Sequence, residues 1–283
     1  MTSWLRAGIY SAQIAILDSN GYPMGTLVTP NAPVANTVYS PYTIPALIEY
    51  APAQATYESA YSYAGMKLRG RRALGATDYG IGTLTLAEYD DTFDALVMGW
   101  TNDTTTATST RINAKNSGRV QQRNFMLALT TGATPSNSAV NYETRVLLNC
   151  YFTPAAAPIN QSGGQNPTNL TYNIYVNVGL RAPWGQLLSA ATVAPDGDSD
   201  TEMGFYYSAP YLFCTYVDNG STGSFSLPYT PSSTEHAGAI NIFYKNGTED
   251  KSAITGISGT TVTRTASSSG DIVVVWFPST GTL

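Results

Sequence analysis

The chain has 283 residues with 43% hydrophobic side chains, enough for two domains or for one β domain with long excursions. Only 12% of residues are charged, about half the usual share, and the net charge is −5, so Ser, Thr, Asn and 20 Tyr cover much of the surface. Two cysteines and one histidine exclude a Cys/His structural zinc cluster, and no window approaches the ~18 apolar residues of a membrane-spanning helix.

The N-terminus, MTSWLRAGIY, lacks a basic stretch followed by a long apolar run, so no signal peptide is expected. Residues 7–17 alternate loosely and predict a first strand, closed by a turn at Asn20-Gly21. From Thr29 to Pro52 five prolines punctuate a Tyr-bearing, nearly uncharged run, which excludes a central strand or a helix. Tyr39, Tyr42, Ile44, Leu47, Ile48 and Tyr50 give this run more apolar surface than a disordered excursion carries. It reads as an arm, spanning about 29–64 with the extended chain that follows, that packs on another subunit. Deleting Pro33–Tyr50 is then expected to leave a folded subunit that cannot polymerise.

Residues 57–66 resume as extended chain. Lys67, Arg69, Arg71 and Arg72 place four cations within six residues. Phosphate contact is one reading of such a cluster. Alternation of Lys67, Arg69 and Arg71 against Leu68 favours a polar strand face forming ion pairs at a subunit interface.

Thr83 to Gly99, TLTLAEYDDTFDALVMG, joins an alternating strand to the one convincing helix. Asp90 and Asp91 supply N-cap chemistry, Phe93, Leu96 and Val97 form one apolar stripe, and Gly99 supplies a stop. The polar tract 101–110 reads as a loop, and Arg111, Lys115, Arg119 and Arg123 lead into a strand at 125–129. Residues 142–152 predict a strand with Val146, Leu148 and Cys150 on one face. Residues 170–180 form the cleanest alternation, with Leu170, Tyr172, Ile174, Val176 and Val178 on one side. Thr171, Asn173, Tyr175 and Asn177 lie on the other, a face suited to water.

Composition breaks at 191–204, ATVAPDGDSDTEMG. Up to Pro195 the chain has 11 Lys+Arg and 10 Asp+Glu; beyond it, 3 and 9. The division expected is therefore 1–194, an acidic linker at 195–204, and 205–283. The last part holds short β runs separated by turns, including Asn219-Gly220 and Asn246-Gly247, which suggests a small immunoglobulin-like sandwich with Trp276 and Phe277 in its core. Cys150 and Cys214 fit buried free thiols better than a disulfide.

Catalytic constellations are missing from the sequence. His236, the single histidine, stands in a polar turn-like segment without the Ser or Cys partner and orienting carboxylate of a triad. Asp196, Asp198 and Asp200 begin like a calcium loop, but Thr201 and Tyr207 stand where Gly and Glu belong. No enzyme activity, cofactor or metal is expected.

The order basic strand, GTLTLAEYDDTFDALVMG, polar loop, basic strand, YETRVLLNCYF, NLTYNIYVNVGLRAPWGQLL resembles major tail tube proteins of long-tailed bacteriophages. The likeness covers about residues 1–190, with Leu96-Val97-Met98-Gly99 echoing the helix end of that family. It implies a mainly β tail-tube sandwich or barrel with one short helix on the sheet and an immunoglobulin-like outer domain. It further implies homohexameric rings stacked into a tube, tape measure protein and other tail proteins as partners, and DNA passing without sequence recognition. The location implied is the virion tail, assembled in the host cytoplasm and not in a membrane. Two other classes fit the same composition: a carbohydrate-binding or adhesin-like sandwich with tyrosine platforms, and a capsid-decorating protein.

Overall fold

β-Branched and aromatic residues in period-two runs fill this chain, and in the computed structural model they form antiparallel strands with one short α-helix among the described residues. The structure describes residues 4–26, 33–45, 47–51, 56–64, 67–78, 81–87, 90–99, 101–103, 112–114, 123–135, 142–155, 170–176, 202–207, 209–221, 223–232, 242–245, 248–249, 254–265 and 268–279.

In chain order the first strands are β1 (Trp4–Ile16), β2 (Thr37–Tyr39), β3 (Tyr42–Thr43), β4 (Leu47–Ala51), β5 (Thr56–Ala64), β6 (Lys67–Asp78) and β7 (Ile81–Leu86). Helix α1 (Asp91–Met98) follows, then β8 (Thr101–Asp103), β9 (Ile112–Ala114), β10 (Phe125–Pro135), β11 (Tyr142–Pro154), β12 (Leu170–Val176) and β13 (Glu202–Tyr207). The largest sheet runs β3-β1-β10-β11-β12-β7-β4, and β4 comes back close to β1, so the sheet curls on itself. β12 pairs with Cys150–Pro154 of β11, and β13 takes the other half, from Tyr142 to Leu147.

Inside the curl, Ile14, Leu84, Leu86, Phe125, Leu127, Phe152 and Ile174 form a core closed by Phe93, Leu96 and Val97 of α1. Phe93 meets Phe152 and Tyr172 edge-on, at ring distances of 6.1 and 5.1 Å. The helix is short, and its ends are well specified. Asp90 is the N-cap, accepting the Thr92 N–H at 3.0 Å, and Gly99 ends the helix in the left-handed region at φ 71°. The buried guanidinium of Arg123 donates to the Leu96 carbonyl at 3.0 Å, satisfying a last-turn acceptor.

The expected single face of Val146, Leu148 and Cys150 is corrected. Phe125 opposes Cys150 while Leu127 opposes Leu147, so β11 carries one extra residue between those pairs. That bulge reverses the alternation. Val146 and Leu148 therefore point away from the curled core, and Cys150 points into it.

The C-terminal strands are β14 (Tyr211–Val217), β15 (Ser224–Ser226), β16 (Ile242–Lys245), β17 (Thr248–Glu249), β18 (Ile254–Ser258), β19 (Thr261–Arg264) and β20 (Ile272–Pro278). They make a sheet ordered β17-β16-β20-β14-β2 and a smaller one ordered β15-β19-β18. β14 and β20 are buried along their whole length because both faces are covered. Tyr211, Phe213, Val274 and Trp276 pack on Ala15, Leu17, Met126, Ala128, Val146 and Leu148 of the large sheet. Leu212, Cys214, Val273, Val275 and Phe277 pack the other way, on Phe225, Leu227 and Val262 of the small sheet. Three β layers share two cores, with Trp276 in one and Phe277 in the other.

The composition break and the layer boundary do not coincide. β13, drawn from the expected linker and the start of the expected outer domain, is a strand of the large sheet. β2, from the expected arm, pairs along Thr215–Val217 of β14. Residues 195–201 of the acidic segment lie outside the described residues.

Candidate interaction surfaces

The proline-punctuated arm folds on its own chain wherever it is described. The Tyr39 hydroxyl accepts the Val34 N–H at 2.9 Å, and Tyr39 stands opposite Thr215 in the strand pairing of β2. Tyr42 opposes Ile14 of β1, and Ile44 is buried in the curled core. Leu47 and Tyr50 are half-buried against that core from β4, and Ile48 is the extra residue of a bulge, since Leu47 faces Leu86 and Glu49 faces Thr85. Prolines space these short pairings apart, which is why the stretch forms three brief strands and no long one.

Tyr42 also ties the arm to the helix. Its hydroxyl donates to Asp90 Oδ2 at 2.5 Å. Burial, and then the hydrogen bond and charge of Asp90, push the Tyr42 hydroxyl well above its ordinary value. Asp94, one turn further along, accepts from the Tyr172 hydroxyl at 3.1 Å. Both aspartates are thus held by tyrosines of the surrounding strands.

A two-stranded ribbon follows the arm. Ala51 of β4 opposes Thr83 of β7, and five residues further on Thr56 of β5 opposes Asp78 of β6. The two pairings share one antiparallel register, as the two arms of one ribbon would. β4 and β7 belong to the large sheet, whereas the ribbon formed by β5 and β6, 56–64 with 67–78, pairs with no other strand among the described residues. At ~3.3 Å per residue, nine residues make it roughly 30 Å long. Lys67, Arg69, Arg71 and Arg72 all stand on β6 near the turn. The strict alternation expected through Lys67, Arg69 and Arg71 is corrected, because Ser62 faces Gly70 and Tyr63 faces Leu68, making Arg69 an extra residue. Ion pairing by these four side chains lies outside what the structure describes.

A second surface is the half of the large sheet on which no other sheet packs among the described residues. On the face that Trp276 covers further along, β4, β7, β12 and the end of β11 present polar groups. Glu49, Thr85 and Thr171 form one cross-strand row; Thr83, Asn173 and Thr153 form the next. Thr85 and Thr171 hydroxyls are 3.4 Å apart, and Tyr151 stacks on Tyr175 with ring centroids 4.7 Å apart and planes 4° from parallel. All these side chains are half-buried apart from Glu49, which is exposed.

Among the described residues, no three His, Cys, Asp or Glu side chains converge as metal ligands. Cys150 and Cys214 are free and buried, and burial raises both thiols far above their ordinary value, so neither is a nucleophile in the folded chain. His236, Asp196, Asp198 and Asp200 lie outside the described residues. No helix is long and apolar enough to cross a membrane among the described residues.

The alternation within 57–66 and within 67–72 does not by itself join the two strands of the ribbon. A signal was present: only Gly65-Met66 separates Ala64 from Lys67, the two-residue spacing of a hairpin. No family model matches the chain, and no curated protein matches it significantly.

Proposed function

We propose that this chain is a structural subunit that assembles with copies of itself, in the manner of a bacteriophage tail tube protein. The observation that carries the reading is the ribbon. A two-stranded ribbon alone in water is marginal, and this one, roughly 30 Å long, pairs only with itself among the described residues. The two outer edges of such a ribbon, met by neighbouring copies, close a ring when the contact is heterologous and the rotation closes. The low charge and the Thr/Asn rows of the large sheet suit the wall of a conduit through which DNA slides without being gripped. On this reading the rings are hexameric and stack into a tube in the virion tail, partnered by the tape measure protein. The two C-terminal layers, immunoglobulin-like in size and strand content, form the outer part of the wall.

One observation favours a second reading. The stacked, half-buried Tyr151–Tyr175 pair beside Thr153 and Asn173 resembles a platform for a sugar ring, as a carbohydrate-binding or adhesin-like protein would use.

Sedimentation velocity of the purified chain across a concentration series separates the two. Discrete ring-sized or larger species support assembly. A monomer at every concentration that binds an immobilised glycan, and loses binding on Tyr175→Ala, supports the second reading and rejects the first.

A further inference from the structure

Residues 56–78 are net basic, as is the stretch 111–123, in a chain that is acidic overall. Residues 56–78 carry four cations and two anions, Glu58 and Asp78, whereas the remaining residues carry 10 cations and 17 anions. A ribbon of net +2 thus belongs to a chain whose remainder has net charge −7. The cations are also concentrated: Lys67, Arg69, Arg71 and Arg72 occupy the strand that starts at the turn, opposite Ala64, Tyr61 and Ala60.

We infer that the ribbon docks in trans on the acidic body of a second copy, with these four cations steering and registering the contact. The inference rests on the self-assembly reading and names the element and the force that drive it. Opposite charges on the two sides accelerate encounter, and the effect is screened beyond a Debye length of ~8 Å at physiological ionic strength. Backbone pairing along a free edge of the ribbon then holds the contact, and that part is insensitive to salt. Register shifts at Tyr57, Ser59 and Tyr63 twist the ribbon, so the fit is to one strand geometry and not to any flat edge. Lysine and arginine on an edge also discourage promiscuous pairing. Cations with only that protective task would leave assembly unchanged or faster when replaced.

The test follows assembly of the full chain by light scattering, with sedimentation velocity as end point, over a range of NaCl concentrations. Three proteins are compared: wild type, a charge-reversed variant (Lys67→Glu, Arg69→Glu, Arg71→Glu, Arg72→Glu), and a charge-retaining one (Arg69→Lys, Arg71→Lys, Arg72→Lys). The thermal circular-dichroism transition reports folding, and fluorescence anisotropy with a duplex oligonucleotide reports nucleic-acid binding. The expected result is an assembly rate at least ~10-fold lower on charge reversal and near wild type in the lysine variant. The wild-type rate should also fall as salt rises. Should charge reversal unfold the chain, the wild-type salt series and the lysine variant decide. Salt-independent wild-type assembly, or wild-type rates after charge reversal, overturn the docking inference while leaving self-assembly standing. A wild type that never assembles rejects both. Oligonucleotide binding lost on charge reversal, with assembly unaffected, assigns the cations to nucleic acid instead.

Discussion

The Tyr42 hydroxyl and the Asp90 carboxylate share a 2.5 Å hydrogen bond across 48 residues of sequence, while the other oxygen of Asp90 caps α1. The pair locks the arm onto the start of the helix. Asp90→Ala removes both a cap and the acceptor for Tyr42, and is expected to cost about 1–2 kcal/mol. Asp90→Asn keeps an acceptor for the Thr92 N–H and should cost less. Urea unfolding of the three proteins gives the order.

Ile44 extends the same point to the whole arm. Its side chain is buried in the curled core, so Ile44→Ala should destabilise the subunit by about 2–5 kcal/mol. Deletion of Pro33–Tyr50 removes β2, β3, Ile44 and nearly all of β4. The structure therefore predicts loss of the folded subunit, against the sequence-based expectation of a folded chain that fails only to polymerise. A cooperative thermal transition in the deletion variant would restore the earlier view.

Truncation after residue 194 is a third case. It strips away β13 and uncovers Ala15, Leu17, Met126, Ala128, Val146 and Leu148 on one continuous sheet face. Exposed contiguous apolar surface of this kind drives association. The truncated chain should bind the dye ANS strongly and precipitate, while the full chain does neither. A clean, monomeric 1–194 fragment would show that the layers are independent after all.

Arg264 and Asp218 form an ion pair at 3.4 Å with both side chains almost fully buried. Removing one partner strands a charge in the small sandwich, so Asp218→Ala should cost about 3–5 kcal/mol. Replacing both by apolar residues of matched volume should recover most of that loss. A double-mutant cycle in guanidinium chloride measures the coupling.

The thiols give a pH prediction with a definite sign. Burial raises the folded-state values of Cys150 and Cys214 above the ordinary 9.0. The unfolded chain then releases these protons first. Stability is fully present below about pH 9 and falls as pH rises toward the folded-state values. Tyr42 adds a decline of the same sign beginning near its ordinary 10.0. Chemical denaturation from pH 7 to 10.5 should show the loss, with a smaller slope in Cys150→Ala/Cys214→Ala. In the native state neither thiol should react with DTNB; denaturation should release two.

Local patterns were legible in the sequence, and long-range ones were not. Asp90, the Phe93/Leu96/Val97 stripe and Gly99 specify α1 within nine or ten residues of each other, so the helix and its burial could be read directly. The alternation at Tyr172 and Ile174 likewise announced a strand with one buried apolar face, opposite a polar face that is half-buried. The bulge in β11 was hidden, because an extra residue is visible only against its partner strand. Hidden for the same reason were the β2–β14 pairing, which sets Val38 opposite Tyr216, and the return of β13 to the large sheet. The arm expected over about 29–64 divides in two: the described part of 29–52 spends its side chains on its own chain, whereas Thr56–Ala64 pairs with Lys67–Asp78.

Electron cryo-microscopy of the purified full chain under assembling conditions tests the central claim most directly. The account predicts closed rings or tubes in which residues 56–78 of each subunit lie against a neighbouring copy. Single-chain particles at every concentration, or rings whose ribbons touch no neighbour, would contradict it.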